Sequence, residues 1–448
     1  MNDTTINNGL SPTAIPGKVG RNFFWLVWSG IISIANSILL WIYLAKMRDV
    51  SEVGKFTIVM ALYAMFISIC SFGLMPFIVS EISRRREQNA ETIAGFISSA
   101  SVLLTIIGLI CAILMTISGV WTSGSPLVQI STLILSIAMI PTGLIAVGEA
   151  TSIALGRTRL IAFVTTLENI LRTIIPISLI WFGYDISVVC ASFVAVRFVA
   201  LLIYLIAARD QLSKFAFSRD EFRLLVKVAP TFAGTVIFAA VNWQVVIVLL
   251  GHYSTEIESA KYGVASRFLI PVSILMASYS SVIQPQLALL AQAGMDQVGS
   301  YLSKMVRYPL VLATVVAILA PFLSDQVLTF SFGVNYAEAD KTLEILALST
   351  VPFCIVMVAA RGLVATGSQH IDLIANALGV IVCFSTGMIL IPEYGAVGAA
   401  VAQFLSFLLM ALVEIGYLSR RIAGFNFWRI ASISSAGLLI ASIFNWKE

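Results

Sequence analysis

Glu168, Arg172, Arg197, Arg267 and Arg361 lie inside long apolar runs, and Glu149 and Asp372 lie near the ends of two others. Ionisable side chains in hydrocarbon are costly, so they face a water-filled cavity or one another. Glu168 and Arg172 are four residues apart, on one helix face, where they can pair. That pair is either a self-neutralised packing element or part of a larger network that Arg197 would complete. Arg267 falls roughly 8 Å below the outer end of its helix, at 1.5 Å rise per residue. There it can line a cavity or reach back to the interface. Arg361 and Asp372 flank a short turn and can bridge two helices. Asn36, Asn242 and Gln244 add uncharged hydrogen-bonding groups at membrane depth, for contacts between helices or for a cavity wall. Deep cations outnumber deep anions. An arginine fork binds phosphate in two-point fashion, and removal from water strengthens that contact. The chemistry on offer is recognition of an anionic head group such as a diphosphate.

Other chemistries find little support. No Gly-rich phosphate loop of the Walker type occurs, and no strand–Ser–helix nucleophile signature. His252 and His370 are far apart, and Cys70, Cys111, Cys190, Cys354 and Cys383 are scattered through apolar runs. They read as small buried apolar residues, with neither a metal set nor disulfides expected. The expectation is a non-enzymatic protein with no cofactor, no metal and no nucleic-acid partner.

The elements that must position these residues are membrane helices. The chain has 448 residues, 59% of them hydrophobic and 11% charged, against roughly 25% charged in soluble domains. A crossing helix needs about 20 mostly apolar residues. Twelve such spans fall near 23–46, 54–80, 93–118, 127–154, 161–182, 186–208, 228–251, 262–290, 307–323, 341–365, 371–391 and 396–418. A further apolar stretch, 430–444, is short for a span. Seventeen of the 27 Lys and Arg residues fall on the side of the N-terminus, including Arg84, Arg85 and Arg86, and at most six on the other. That bias places the N-terminus in the cytoplasm. Residues 1–22 form a polar tail, without the features of a cleavable leader. Residues 209–227, polar with interspersed apolar side chains, divide the spans six and six, and suit an interfacial helix between lobes.

The two halves echo each other. Glu52-Val53-Gly54-Lys55-Phe56 opens the second span, and Glu258-Ser259-Ala260-Lys261-Tyr262 opens the eighth. Ala154-Leu155-Gly156 precedes the fifth, and Ala365-Thr366-Gly367 precedes the eleventh. Six helices per half keep both halves in one orientation, which gives a parallel repeat about an axis along the membrane normal. The expected fold is an all-α polytopic membrane protein with an N-lobe at 23–208, a C-lobe at 228–418 and a C-terminal segment at 419–448. Late in the chain, Pro392-Glu393-Tyr394-Gly395 separates two apolar runs. Pro restricts φ there and Gly tolerates φ > 0, and the small Gly398, Ala399 and Ala400 let backbones approach closely. This is a helical hairpin inside the membrane.

That hairpin resembles one in the polysaccharide-exporter flippases of the multidrug/oligosaccharidyl-lipid/polysaccharide superfamily. The resemblance extends over nearly the whole chain. It includes Ser51 to Phe56, Phe72-Gly73-Leu74, Tyr262-Gly263 followed by Arg267 and Pro271, and Phe332-Gly333-Val334-Asn335-Tyr336 with Leu343-Glu344-Ile345-Leu346. It implies a MATE-like architecture, two lobes around a positively lined cavity between spans one, two, seven and eight. It also implies movement of an undecaprenyl-diphosphate-linked oligosaccharide, such as an O-antigen repeat unit, across a bacterial inner membrane. Other polysaccharide-assembly proteins are then possible partners, besides membrane lipids. Of the deep arginines only Arg267 falls on those four spans. Arg267 is the expected diphosphate contact, with Asn36, Asn242 and Gln244 for the glycan. Arg172, Arg197 and Arg361 are further substrate candidates, and Glu168 or Glu149 are candidate carriers of a coupling ion. The alternatives are a drug/cation antiporter on the same fold and, from a different class, a glycan polymerase or ligase. Span one holds no Asp or Glu, which disfavours a carboxylate-driven cation antiporter. No long external loop is available as a platform for polymerase chemistry.

Overall fold

A computed structural model describes residues 38–85, 90–207, 217–422 and 425. Among these residues the chain is helical, with no strand. Span one is described from Ile38 to Met47. Asn36, the polar tail and the 430–444 stretch lie outside the described residues. Span two is Val50–Cys70 followed by Met75–Arg84, span three Ala90–Thr122, and span four Pro126–Ser136 followed by Met139–Ala154. Spans five and six are Thr158–Trp181 and Ile186–Ala207. Span seven is Arg219–Tyr253, and span eight is Glu256–Ser266 followed by Leu269–Ala293. Span nine is Met295–Phe332, which extends well beyond 307–323 at both ends, and span ten is Asp340–Ala365. Gln369–Arg421 contains spans eleven and twelve, divided at Gly395.

The breaks in spans two, four and eight share one cause. Pro76, Pro141 and Pro271 lack the N–H that would bond the carbonyl four residues earlier. Those carbonyls belong to Phe72, Ile137 and Arg267, and each helix breaks there. At the two later breaks the backbone tightens to three-residue bonds, such as Ala138 N to the Leu135 carbonyl (3.0 Å) and Arg267 N to the Val264 carbonyl (3.2 Å). At the first, Phe72 takes φ 49°.

The last part of the 209–227 connection continues straight into span seven as one helix from Arg219. Its start is set by Ser218, whose side chain accepts from the Glu221 N–H, with Asp220 and Glu221 in the first turn. Acidic residues there suit the helix dipole. Residues 209–216 of the expected 209–227 interfacial helix lie outside the described residues.

The late hairpin is tight. Gly395 turns with φ 52°, and the Ala396 N–H at the start of span twelve donates to Glu258 Oε2 at 2.9 Å. A Cβ on Gly398 would meet the Leu390 carbonyl carbon at 2.7 Å. Only glycine permits that approach.

One apolar core spans both lobes, from Phe56 and Leu250 at one end to Ile82 and Leu225 at the other. It joins Phe56, Leu62 and Phe193 of spans two and six to Leu249, Tyr262, Tyr336 and Ala399 of the C-lobe. The inner half of the C-lobe has its own core around Met276, Leu302, Val358 and Met410. Span eight makes this division visible. Glu256–Ser266 packs along Val50–Cys70 of span two, whereas Leu269–Ala293 packs chiefly on spans nine and ten. At the end that the Lys/Arg bias leads us to expect outside, called outer here, span eight thus closes on span two, and toward the other end it leaves span two for spans nine and ten.

Candidate functional site

The break in span eight places Arg267 at the point of divergence. Its guanidinium carbon lies 3.8 Å over the Trp41 ring of span one. Such stacking is worth about 0.5–2 kcal/mol. Arg267 has no ion pair among the described residues, and its buried Nε has no hydrogen-bond partner. It lines a pocket of about 120 Å³ together with Trp243, Gln244 and Ile247 of span seven, Tyr262, Ser266, Leu269 and Ile270 of span eight, Leu346 of span ten, and Gln403 and Phe407 of span twelve. At roughly 30 Å³ per water in the liquid, that volume suits a small polar group and not a whole oligosaccharide. Gln403 Oε1 is buried without a partner among the described residues. The pocket therefore offers a free cation, the Gln244 amide and an open acceptor.

Asn242 belongs elsewhere. It is 1% exposed, donates to Ser406 Oγ at 2.7 Å and accepts from the Gln403 amide at 3.1 Å. Ser406 in turn donates to the Gly379 carbonyl. This chain ties spans seven, eleven and twelve together. Asn242 acts on the pocket through Gln403, by holding its amide.

In the N-lobe, Glu168 bridges two cations. Its Oε1 lies 3.0 Å from Arg172 Nη2 and 3.0 Å from Arg197 Nη1. Tyr63 of span two accepts from Arg172 at 2.8 Å and from Arg197 at 3.4 Å. The Arg172 guanidinium also lies 5.8 Å from the Tyr63 and Phe193 ring centres. The network carries one carboxylate for two guanidiniums, and Glu149 is within electrostatic reach of Arg197. These residues share spans two, four, five and six and do not line the Arg267 pocket.

Arg361 donates to Gln284 at 3.3 Å and makes no ion pair with Asp372 among the described residues. Asp372 instead accepts from the Asn376 amide at 3.0 Å. The free cysteines are all buried. His252 stacks on Trp121 (4.1 Å, 8°) at the outer end of span seven. Sequence reasoning missed Trp41, Tyr63, Gln403 and Glu414. The first three look like ordinary span residues until packing gives them partners. Glu414 carried a readable signal, a lone carboxylate in Leu412-Val413-Glu414-Ile415.

The seal on the outer side is built from small residues and one carboxylate. Glu256 accepts from Ser51 Oγ at 2.6 Å and lies 3.5 Å from Lys55 Nζ. A Cβ on Gly54 would reach 2.5 Å from the Glu256 carbonyl carbon, and one on Gly263 would reach 2.5 Å from Thr57 Oγ1. On the inner side Arg85 grips both carboxylate oxygens of Glu221, at 2.6 and 3.0 Å. It also pairs with Glu81 at 2.7 Å. This second tie fastens span seven to span two and leaves span eight free.

The same arrangement of helices occurs in solved transporters. Lipid II flippase MurJ in an inward closed conformation superposes with a TM-score of 0.75 at 17% identity, over 96% of this chain and 93% of that one. An inward-facing multidrug resistance MATE family transporter of the MOP superfamily gives 0.69 at 15% identity, over 91% and 98%. These likenesses establish the fold. In sequence, the probable low-salt glycan biosynthesis flippase Agl15 of Haloferax volcanii is 24% identical over 199 residues. That match spans 44% of this chain and 42% of the relative, so under half the length of the relative is covered. The profile of the polysaccharide biosynthesis protein family matches residues 19–291. The chain is a multi-pass membrane protein of the polysaccharide biosynthesis protein family.

Proposed function

We propose that this protein is a flippase for lipid-linked oligosaccharide. Its cargo would be an undecaprenyl-diphosphate-linked repeat unit of O-antigen or a related polysaccharide, carried from the cytoplasmic to the outer leaflet by alternating access. The protein would sit in a bacterial cytoplasmic membrane with its N-terminus inside. The glycan and diphosphate enter between the lobes from the inner side, while the lipid tail stays in the bilayer. Rocking of the lobes then opens the outer seal.

One observation carries this reading. Arg267 is a cation without an ion pair and with an unpartnered Nε among the described residues, stacked on Trp41 and lining a small pocket at the break in span eight. A diphosphate supplies the negative charge and the in-plane oxygens that the Arg267 guanidinium lacks. Family membership and the flippase named among the relatives support the same class of cargo. The Arg172–Glu168–Arg197 network is assigned to holding the N-lobe, and Glu168 or Glu149 remain candidates for ion coupling. A cation antiporter is the second reading on this fold, but a free arginine at the pocket repels cationic cargo.

The test is complementation of a strain lacking its own translocase. Surface glycan and inner-leaflet precursor are scored with wild type and Arg267→Ala at matched expression. Wild type restores surface glycan, and the variant accumulates precursor. Rescue by both variants removes Arg267 from the site, and no rescue by wild type in a strain making the native precursor refutes the flippase reading.

A further inference from the structure

Among the described residues, Glu414 is the most enclosed carboxylate. It is 0% exposed, on span twelve, seven residues before the helix ends at Arg421. Among the described residues neither of its carboxylate oxygens has a hydrogen-bond donor. A charged carboxylate left without donors in membrane surroundings is costly, and proteins relieve that cost with a partner or a proton. No cation lies within ion-pair distance of it among the described residues.

Asp372, in the first turn of span eleven, lies alongside Glu414: spans eleven and twelve run antiparallel, with Ser406 Oγ on the Gly379 carbonyl at 2.9 Å and Ser368 Oγ 3.1 Å from the Tyr417 hydroxyl, and between these contacts positions 372 and 414 fall opposite each other. Two carboxylates are acceptors only, so such a contact bonds only when one of them carries a proton. Asp372 is held by the Asn376 amide at 3.0 Å, and Asn376 is itself buried. The other neighbours leave the pair free. From span ten, Arg361 acts on Asp372 at longer range while its guanidinium bonds Gln284. His370 lies edge-on to Tyr417, 6.4 Å between ring centres, and the Tyr417 hydroxyl meets Ser368 Oγ at 3.1 Å. Span seven presents Asn242, already bonded to Ser406.

We infer that Glu414 and Asp372 hold one exchangeable proton between them, forming a proton-binding site in the C-lobe separate from the Arg267 pocket. Asp372 is half-buried at the inner end of its helix and forms the wet side of the site; Glu414 forms the dry side. A proton enters from inner water at Asp372 and is shared with Glu414. On leaving, it returns by the same carboxylate. The site makes the C-lobe responsive to pH whatever the cargo is.

The test uses the purified full-length protein with no glycan present. Dicyclohexylcarbodiimide attacks protonated carboxyls in apolar surroundings, and the modified peptide is read by mass spectrometry across pH. Wild type labels at Glu414, with labelling lost at high pH, and Glu414→Gln does not label. Asp372→Asn moves the pH at which labelling fades. Glu168, held by two guanidiniums, stays unlabelled. Infrared difference spectra of wild type against Glu414→Gln give a second readout that needs no reagent access: a protonated-carboxyl band at neutral pH, missing in the variant. Absence of that band overturns the inference, as does labelling independent of both pH and Asp372. Either result leaves the flippase reading untouched, because no cargo is involved.

Discussion

Replacing Gly54 by Ala should force the outer seal open. The added Cβ would lie 2.5 Å from the Glu256 carbonyl carbon, against the 3.5–4.0 Å or so of a comfortable carbon–carbon contact. The obstacle is backbone on another lobe, so no side chain can rotate away. The outer ends of spans two and eight must separate by about 1 Å or more, or the contact must strain. Overpacking of this kind costs about 1–3 kcal/mol. If the lobes rock apart, that cost falls on the closed state alone, and shifts the equilibrium toward outward opening by about 5- to 150-fold. Separation also stretches the Ser51–Glu256 bond (2.6 Å) and the Lys55–Glu256 contact, so the true shift sits at the upper end. Spin labels at Asp49 and Ile257, both exposed at the outer ends, report the distance directly. Gly54→Ala should lengthen it and broaden the distribution, with a lower thermal midpoint because the core that the lobes share is loosened at this end. Gly416→Ala, where a Cβ meets nothing within 4 Å, is the matched control. A wild-type distance distribution in Gly54→Ala would refute the claim that this glycine closes the seal.

Three further outcomes follow from the polar networks. Glu168→Gln leaves Arg172 and Arg197 without their shared carboxylate, a loss of about 3–5 kcal/mol for a broken buried pair; melting followed by size-exclusion should show a lower midpoint, and an unchanged midpoint would make the network dispensable. Asn242→Ala strips partners from Ser406 and Gln403 and should cost about 1–3 kcal/mol for each group left unsatisfied, while Asn242→Ala protein still binds an inorganic pyrophosphate probe at the Arg267 pocket, if more weakly. Trp41→Ala should weaken that probe by roughly 2- to 30-fold, the range expected from about 0.5–2 kcal/mol of lost stacking; calorimetry showing equal affinity would remove Trp41 from the site.

The seal and the pocket need opposite things from span eight, and Pro271 reconciles them. Its missing N–H frees the Arg267 carbonyl and bends the helix at that residue. The outer segment can then lie along span two while the inner segment leans away. Arg267 sits at the hinge between the two, so a group bound there is placed to sense which way the inner segment leans.

Much of the architecture follows from chain chemistry alone. Hydrocarbon demands about 20 apolar residues per crossing, so the runs are counted directly, and the Lys/Arg bias gives an expected orientation. The hairpin at Pro392 to Gly395 is equally local, since proline and glycine act on their own backbone. Glu168 and Arg172 could be paired from spacing, because four residues return to the same helix face. Packing between distant spans decided the rest. Asn242 and Gln244 are two residues apart, yet one bonds span twelve and the other lines the pocket, because that spacing points them to different faces. Trp41 became the floor under Arg267 only when span one met span eight. Glu414 acquired its meaning from Asp372, 42 positions earlier in the chain. A lone buried carboxylate has no local partner to announce it; only the fold brings the second one alongside.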